Sequence, residues 1–149
     1  MSEHKLEPLL APAVNDVLET MFFSEALGPS EHQSSVSDLE AQVAFLGETS
    51  GHVGVRISEP SARYLAASFL GEFEDSLSET QIAQVVCELT NMLCGCIVSK
   101  IASQGCFALE PPCLCPTQTD RTTNISAIQQ SFAIEQGTLT VSLCMSPSA

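Results

Sequence analysis

Glu88 and Asn91 are the two residues of this chain whose types and spacing could do chemistry together. On a helix, a separation of three brings two side chains to neighbouring places on one face. A primary amide there can accept a hydrogen bond from a water molecule and aim that water at an electrophile. A carboxylate beside it can pair with a cationic side chain on a partner and fix how the two surfaces dock. Such a pair could assist a hydrolysis with no covalent step and no metal of its own. The spacing alone is a weak signal, because Glu-x-x-Asn is common in helices. The plain alternative is two solvated polar residues.

Other reactive types are less well placed. Cys94-Gly-Cys96 and Cys113-Leu-Cys115 invite a zinc reading. On a helix, however, the first pair splays its thiols by about 200°, unlike the C-x-x-C turns of structural zinc sites. Small buried hydrophobes are the better account, with Cys96 on an apolar stripe and Cys94 on its flank. His4, His32 and His52 fall in a tail, a loop and a turn, with no pair at ligand spacing. No Ser-His-Asp or Cys-His signature is present locally, and the eight glycines are too scattered to cradle a phosphate. No metal and no cofactor held by this chain is expected.

The element that must position Glu88 and Asn91 is the clearest in the sequence, a helix over about residues 78–104. Ser78 and Gln81 fit a capping box, Leu77 and Ile82 a hydrophobic staple, and Gly105 a C-terminal stop. At about 100° per residue, Ile82, Val85, Val86, Leu89, Leu93, Cys96 and Ile97 form the face to be buried. The opposite side holds Gln84, Glu88, Asn91, Gly95, Ser99 and Ala102. A solvated helix face normally carries long charged side chains. This one offers a carboxylate and an amide on an otherwise bare surface, open to close approach by another macromolecule.

Around that helix, residues 8–23 read as an amphipathic helix and residues 28–38 as a polar loop. Alternation from Ala41 to Leu46 and from Val53 to Ile57, across Glu48-Thr-Ser-Gly51, predicts a hairpin. Pro60 opens a further helix with Ala62, Leu65, Ala66, Phe69 and Leu70 on one stripe. The acidic bridge over residues 72–79 reads as a capped helix start, its alternative being an exposed docking patch for a basic partner. Alternation around Gln136-Gly137 predicts a second hairpin over residues 127–145. Helix, hairpin, two helices and strands make an α/β domain of the α+β kind with a mostly antiparallel sheet. We expect one domain over residues 1–149, with a core of about 8–145 and flexible tails at 1–7 and 146–149.

Composition bounds the partners. The 149 residues include 18 acids and 5 Lys or Arg, a net charge of −13. Five cations cannot neutralise a run of phosphates, which argues against nucleic acid and an anionic membrane surface as partners. Residues 1–88 hold fifteen acids against Lys5, Arg56 and Arg63, a balance of −12, whereas residues 89–149 balance at −1. The first part reads as solvated surface and the second as interior or contact surface. The stretch Val85 to Val98 is broken by Glu88 and Asn91 and is short for a membrane span. No secretory leader is visible, and seven cysteines are an odd number. Reduced thiols in the cytoplasm are the expectation.

Glu88-Leu-Thr-Asn91 followed by Met-Leu-Cys-Gly, on a long helix, resembles the signature helix of the CheX/CheC/FliY chemotaxis phosphatases. Val17-Leu-Glu-Thr-Met-Phe22 resembles the N-terminal helix of the CheX type, and the order of elements matches over about residues 8–145. The family pattern is Asp or Ser, three residues, Glu, two residues, Asn, then a Pro about two dozen residues later. The resemblance implies that Glu88 contacts a lysine of the receiver domain and that Asn91 orients the water attacking its aspartyl phosphate. Gln84 departs from the Asp/Ser position and is carried as an auxiliary residue. Pro111 or Pro112 stands slightly early for the Pro, and Pro112 is taken. The first helix has Glu19 but Phe22 where a second site would need Asn, and one site per chain fits the CheX type. A CheC-like fold is implied, with hydrolysis of the aspartyl phosphate on a CheY-type response regulator. The Mg²⁺ belongs to the receiver, and a homodimer joined through the sheets is expected. The alternative is a non-catalytic module that binds a response regulator or another signalling partner.

Overall fold

The computed structural model describes residues 3–22, 24, 26–29, 38–47, 50–101, 108–115 and 127–145. In chain order the elements are α1 (Glu3–Met21), β1 (Gly28–Pro29), β2 (Leu39–Leu46), β3 (Gly51–Ile57), α2 (Glu59–Leu70), a 3-10 turn (Glu74–Ser76), α3 (Glu79–Ile101), β4 (Ala108–Leu109), β5 (Cys113–Cys115), β6 (Ala127–Ile134) and β7 (Gly137–Met145).

Both expected hairpins form. β2 and β3 pair antiparallel from Leu39↔Ile57 to Phe45↔Gly51, and β6 and β7 pair from Ala127↔Cys144 to Ile134↔Gly137. β7 also lies antiparallel to β3, which gives one sheet in the order β1-β6-β7-β3-β2-β4, with β5 on β2 as well. Because side chains alternate across a strand, Ala41, Val43, Phe45, Val53, Val55, Ile57, Leu139, Val141 and Leu143 all point to one face and are buried. The three helices pack there. Phe22 of the segment after α1 stacks on Phe69 of α2 with ring centroids 5.1 Å apart. Lys100 near the end of α3 pairs with Asp16 of α1 at 3.8 Å.

Several boundaries differ from the sequence reading. α1 begins at Glu3 rather than near residue 8, so part of the expected N-terminal tail is helical. Within the stretch read as a polar loop, Gly28 and Pro29 pair with Ala133 and Phe132 at the sheet edge. The second turn moves one residue earlier, to Glu135-Gln136, and Gln136 takes the left-handed φ of 73°. Gly137 instead opens β7 because the N-terminal end of α2 packs against it. A Cβ there would overlap the Ser58 hydroxyl and lie 2.7 Å from that of Ser61. Ala102, Gly105 and the middle of the 48–51 turn lie outside the described residues.

Candidate functional site

The start of α3 is fixed by the capping box. Gln81 N–H donates to Ser78 Oγ at 3.1 Å, and Ser78 N–H donates to Gln81 Oε1 at 2.8 Å. Leu77 and Ile82 are both buried, as a staple requires. These bonds satisfy backbone donors at the helix end and set the rotation of every side chain that follows.

That rotation differs slightly from the expected one. Ile82, Val85, Val86, Leu89, Leu93 and Ile97 face the core as anticipated. Thr90, Cys94 and Val98 are buried too, and Thr90 Oγ1 donates to the Val86 carbonyl at 2.8 Å. Cys94 is the fully buried thiol and Cys96 is half-buried, the reverse of the sequence reading. α3 packs on β2, α1 and α2, and Cys96 faces Asp16 and Lys100 at the α1 boundary. Burial pushes the Cys94 thiol up to about 11, and Cys87, Cys96 and Cys144 are raised chiefly by the same cause. These are inert, protonated thiols, and no cluster of metal-ligating side chains occurs among the described residues. With 23 residues α3 has the length and composition of a membrane segment. In this fold its apolar side packs on the sheet, α1 and α2.

Among the described residues the outer face is as bare as the sequence implied. Gln84 and Ser99 are exposed, and Glu88, Asn91 and Gly95 are half-buried. Among the described residues, no ion pair or side-chain hydrogen bond engages Gln84, Glu88 or Asn91. Both head groups at positions 88 and 91 therefore remain available to an incoming partner.

What the sequence did not disclose is the wall beside this face. β4 and β5 both pair with β2, with Leu109 opposite Phe45 and Cys113 opposite Gln42. Three residues, Glu110 to Pro112, thus face two on β2, which makes β4 and β5 one edge strand interrupted by a bulge. Proline suits that place because it has no N–H to donate to a ladder. The Glu110 N–H still donates to the Ala44 carbonyl at 2.9 Å. One end of this strand reaches Gly95, where Leu109 Cδ1 lies 3.9 Å from an ideal Cβ position. The other end brings Cys113 within electrostatic reach of Cys87. Running antiparallel to α3, the segment with Pro111 and Pro112 passes the turns that carry Glu88 and Asn91. Pro112 is half-buried and Pro111 exposed. Only the register of the edge strand, which depends on pairing distant in sequence, reveals this placement.

The sequence profile described as "Chemotaxis phosphatase CheX" matches residues 39–134. No curated protein matches at the level of sequence. Among solved structures, the chemotaxis protein CheX from Vibrio vulnificus is 22% identical, with 98% of this chain and 99% of that chain covered and a TM-score of 0.78. The CheX chain of the CheX–CheY–BeF3–Mg²⁺ complex from Borrelia burgdorferi is 16% identical, with 98% and 99% covered and a TM-score of 0.70. Thermotoga maritima FliY is 12% identical over 94% and 90%, with a TM-score of 0.61. At these identities the structures show a shared fold.

Proposed function

We propose that this chain, which belongs to the CheX family of chemotaxis phosphatases, hydrolyses the aspartyl phosphate of a CheY-type response regulator. One observation carries the reading. Glu88 and Asn91 stand side by side and partner-free on a helix face that otherwise holds Gln84, Gly95 and Ser99 among the described residues. The Borrelia CheX structure, held in complex with CheY, supports the class of partner.

The bare face of α3 lies against the receiver's phosphorylation pocket. The Glu88 carboxylate pairs with a receiver lysine and sets the register. The Asn91 side-chain carbonyl accepts a hydrogen bond from water and holds its oxygen in line with phosphorus. Attack forms the new P–O bond as the bond to the receiver's aspartate oxygen breaks, giving inorganic phosphate and a free carboxylate. Catalysis here is positioning in a site whose charge is already arranged. The Mg²⁺ that neutralises the phosphoryl oxygens is the receiver's, and this chain adds no cofactor. Gln84 is an auxiliary contact one turn before Glu88, and Pro112 shapes the edge of the face. A cytoplasmic protein fits this role. A homodimer joined through the sheets would use the β4–β5 edge, where Leu46 and Leu114 are about half exposed.

The second reading is a module that binds the regulator without hydrolysing its phosphate. It is motivated by Gln84, which occupies the usual Asp/Ser position with an exposed amide. Phosphate release from a phosphorylated receiver decides between them. Wild type should accelerate release, and Asn91→Ala should return it to the receiver's own rate. Hydrolysis is refuted if wild type gives no acceleration, or if Asn91→Ala leaves it intact. Tight binding with no acceleration establishes the module.

A further inference from the structure

Phe73 is 84% exposed, the most exposed of the large apolar side chains among the described residues, and Leu70, three residues before it, is 40% exposed. Nothing about the backbone requires this, for the segment is pinned on both sides. Gly71 caps α2 with a left-handed φ of 67°, and the Glu72 N–H donates to the Ala67 carbonyl at 3.1 Å. The Phe73 carbonyl accepts from Ser76 N–H at 3.0 Å and from Ser76 Oγ at 2.8 Å. Arg63 Nη1 donates to the Glu74 carbonyl at 3.1 Å, and Leu77 is buried directly ahead of the capping box. Phe73 is therefore an aromatic side chain held out into water by an ordered turn.

The exposed charged residues next to it in the chain are all acidic. Glu72, Asp75 and Glu79 are exposed and Glu74 is half-buried. Arg63, the nearby cation, is already committed to Glu59 at 2.9 Å and to the Glu74 carbonyl. A rigid aromatic inside an acidic rim complements an apolar pocket rimmed by Lys or Arg, the geometry of a buried anchor with steering charges around it.

We infer that Phe73 and its acidic rim form a second docking point for the response regulator, seated in a basic-rimmed apolar pocket away from the phosphorylated centre. The inference rests on the proposed function. Nine residues of α3 separate Glu79 from Glu88, about 14 Å along the helix. Phe73 adds a short 3-10 turn and linker, so it lies within about 30 Å of Glu88. A domain of about 100–150 residues is roughly 35 Å across and spans both points. The acids also fix where this contact falls: they would be repelled by an acid-lined phosphorylation pocket, so they meet a different, basic part of the partner. Contact remote from the reacting atoms stabilises ground and transition states alike, so it lowers KM and leaves kcat unchanged.

The test titrates wild type, Phe73→Ala, Phe73→Leu and the double variant Glu72→Lys/Asp75→Lys against a receiver carrying beryllofluoride and Mg²⁺. Phosphate release is measured on the same set. Phe73→Ala should raise Kd and KM about tenfold, with kcat within about twofold, and Phe73→Leu should recover most of the loss. The charge-reversed variant should bind more weakly and lose most of its salt dependence. In an Asn91→Ala background Phe73→Ala should weaken binding by the same factor, which separates anchoring from catalysis. If wild type accelerates release and Phe73→Ala binds as wild type does, the anchor is refuted while the phosphatase stands. If wild type neither binds nor accelerates, both fall.

Discussion

Gly95 gives the bare face of α3 its sharpest test. It sits inside the helix, where glycine costs about 1 kcal/mol relative to alanine. Its φ is not positive, so the backbone does not demand glycine. Space does not demand it either. A Cβ at this position meets only Leu109 Cδ1 among the described residues, at 3.9 Å, an ordinary van der Waals contact. Gly95→Ala should therefore stabilise the isolated protein by about 0.5–1 kcal/mol, the helix-propensity gain. For a domain of this size that raises Tm by about 2–3 °C. What glycine supplies is absence of bulk one turn beyond Asn91. Gly95→Leu should fold, because its side chain extends toward solvent past Leu109, yet it should lower kcat/KM on a phosphorylated receiver tenfold or more. Thermal unfolding and phosphate release on the same preparations read both effects. The reasoning fails if Gly95→Ala destabilises the fold, since the glycine would then be structural. It fails equally if folded Gly95→Leu keeps wild-type kcat/KM, since nothing would then dock on this face.

Two further outcomes test the scaffold. Gly137→Ala should destabilise by about 1–3 kcal/mol, because the new methyl displaces the Ser58 hydroxyl, which accepts from Thr138 N–H at 3.1 Å; urea unfolding measures it, and an unchanged midpoint would refute the close packing of α2 on β7. Burial of Cys94, with a folded value of about 11 against the ordinary 9.0, makes stability depend on alkaline pH. Between those values the unfolded thiol has lost its proton and the folded one has not, so the native state binds more protons. Stability then falls as pH rises from about 9 to 11, by about 2–3 kcal/mol, and levels off above. Cys94→Ala should show a visibly smaller loss between pH 8 and pH 11; equal losses would show that other groups set the dependence.

The local parts of this site were legible in the sequence because local rules govern them. The Ser78–Gln81 box, the period of Ile82 to Ile97 and the shared face of Glu88 and Asn91 all follow from helix geometry, and the bonds at 3.1 and 2.8 Å realise the first. The hairpins were legible from alternation. Less visible was anything set by contacts distant in sequence. The rotation of α3 that buries Cys94 instead of Cys96 depends on how the helix settles among β2, α1 and α2. The bulge at Pro111-Pro112 depends on pairing with β2, some seventy residues away. The turn at Gln136 moved because α2 claims Gly137. A periodicity argument reports which face is apolar, and only tertiary packing decides its exact centre.

The charge imbalance gains a purpose in this arrangement. The part of the chain up to residue 88 carries nearly all of the −13, and four of its acids gather at the start of α3 and just ahead of it. They favour the positive end of the helix dipole, yet their charge falls off before the turns that hold Glu88 and Asn91. Beyond Glu88 the helix adds no acid and only Lys100, which is engaged with Asp16. A surface that must enter an anionic, phosphorylated pocket benefits from that neutrality, since each extra carboxylate within a Debye length of about 8–10 Å would oppose docking. In the proposed mechanism Glu88 is the exception, paired with a cation of the receiver. Replacing it with Gln keeps shape and removes the pairing, so Glu88→Gln should weaken binding to the phosphorylated receiver while leaving the melting temperature of this partner-free residue unchanged. Unaltered affinity in that variant would remove the carboxylate from the mechanism and leave Asn91 to act alone.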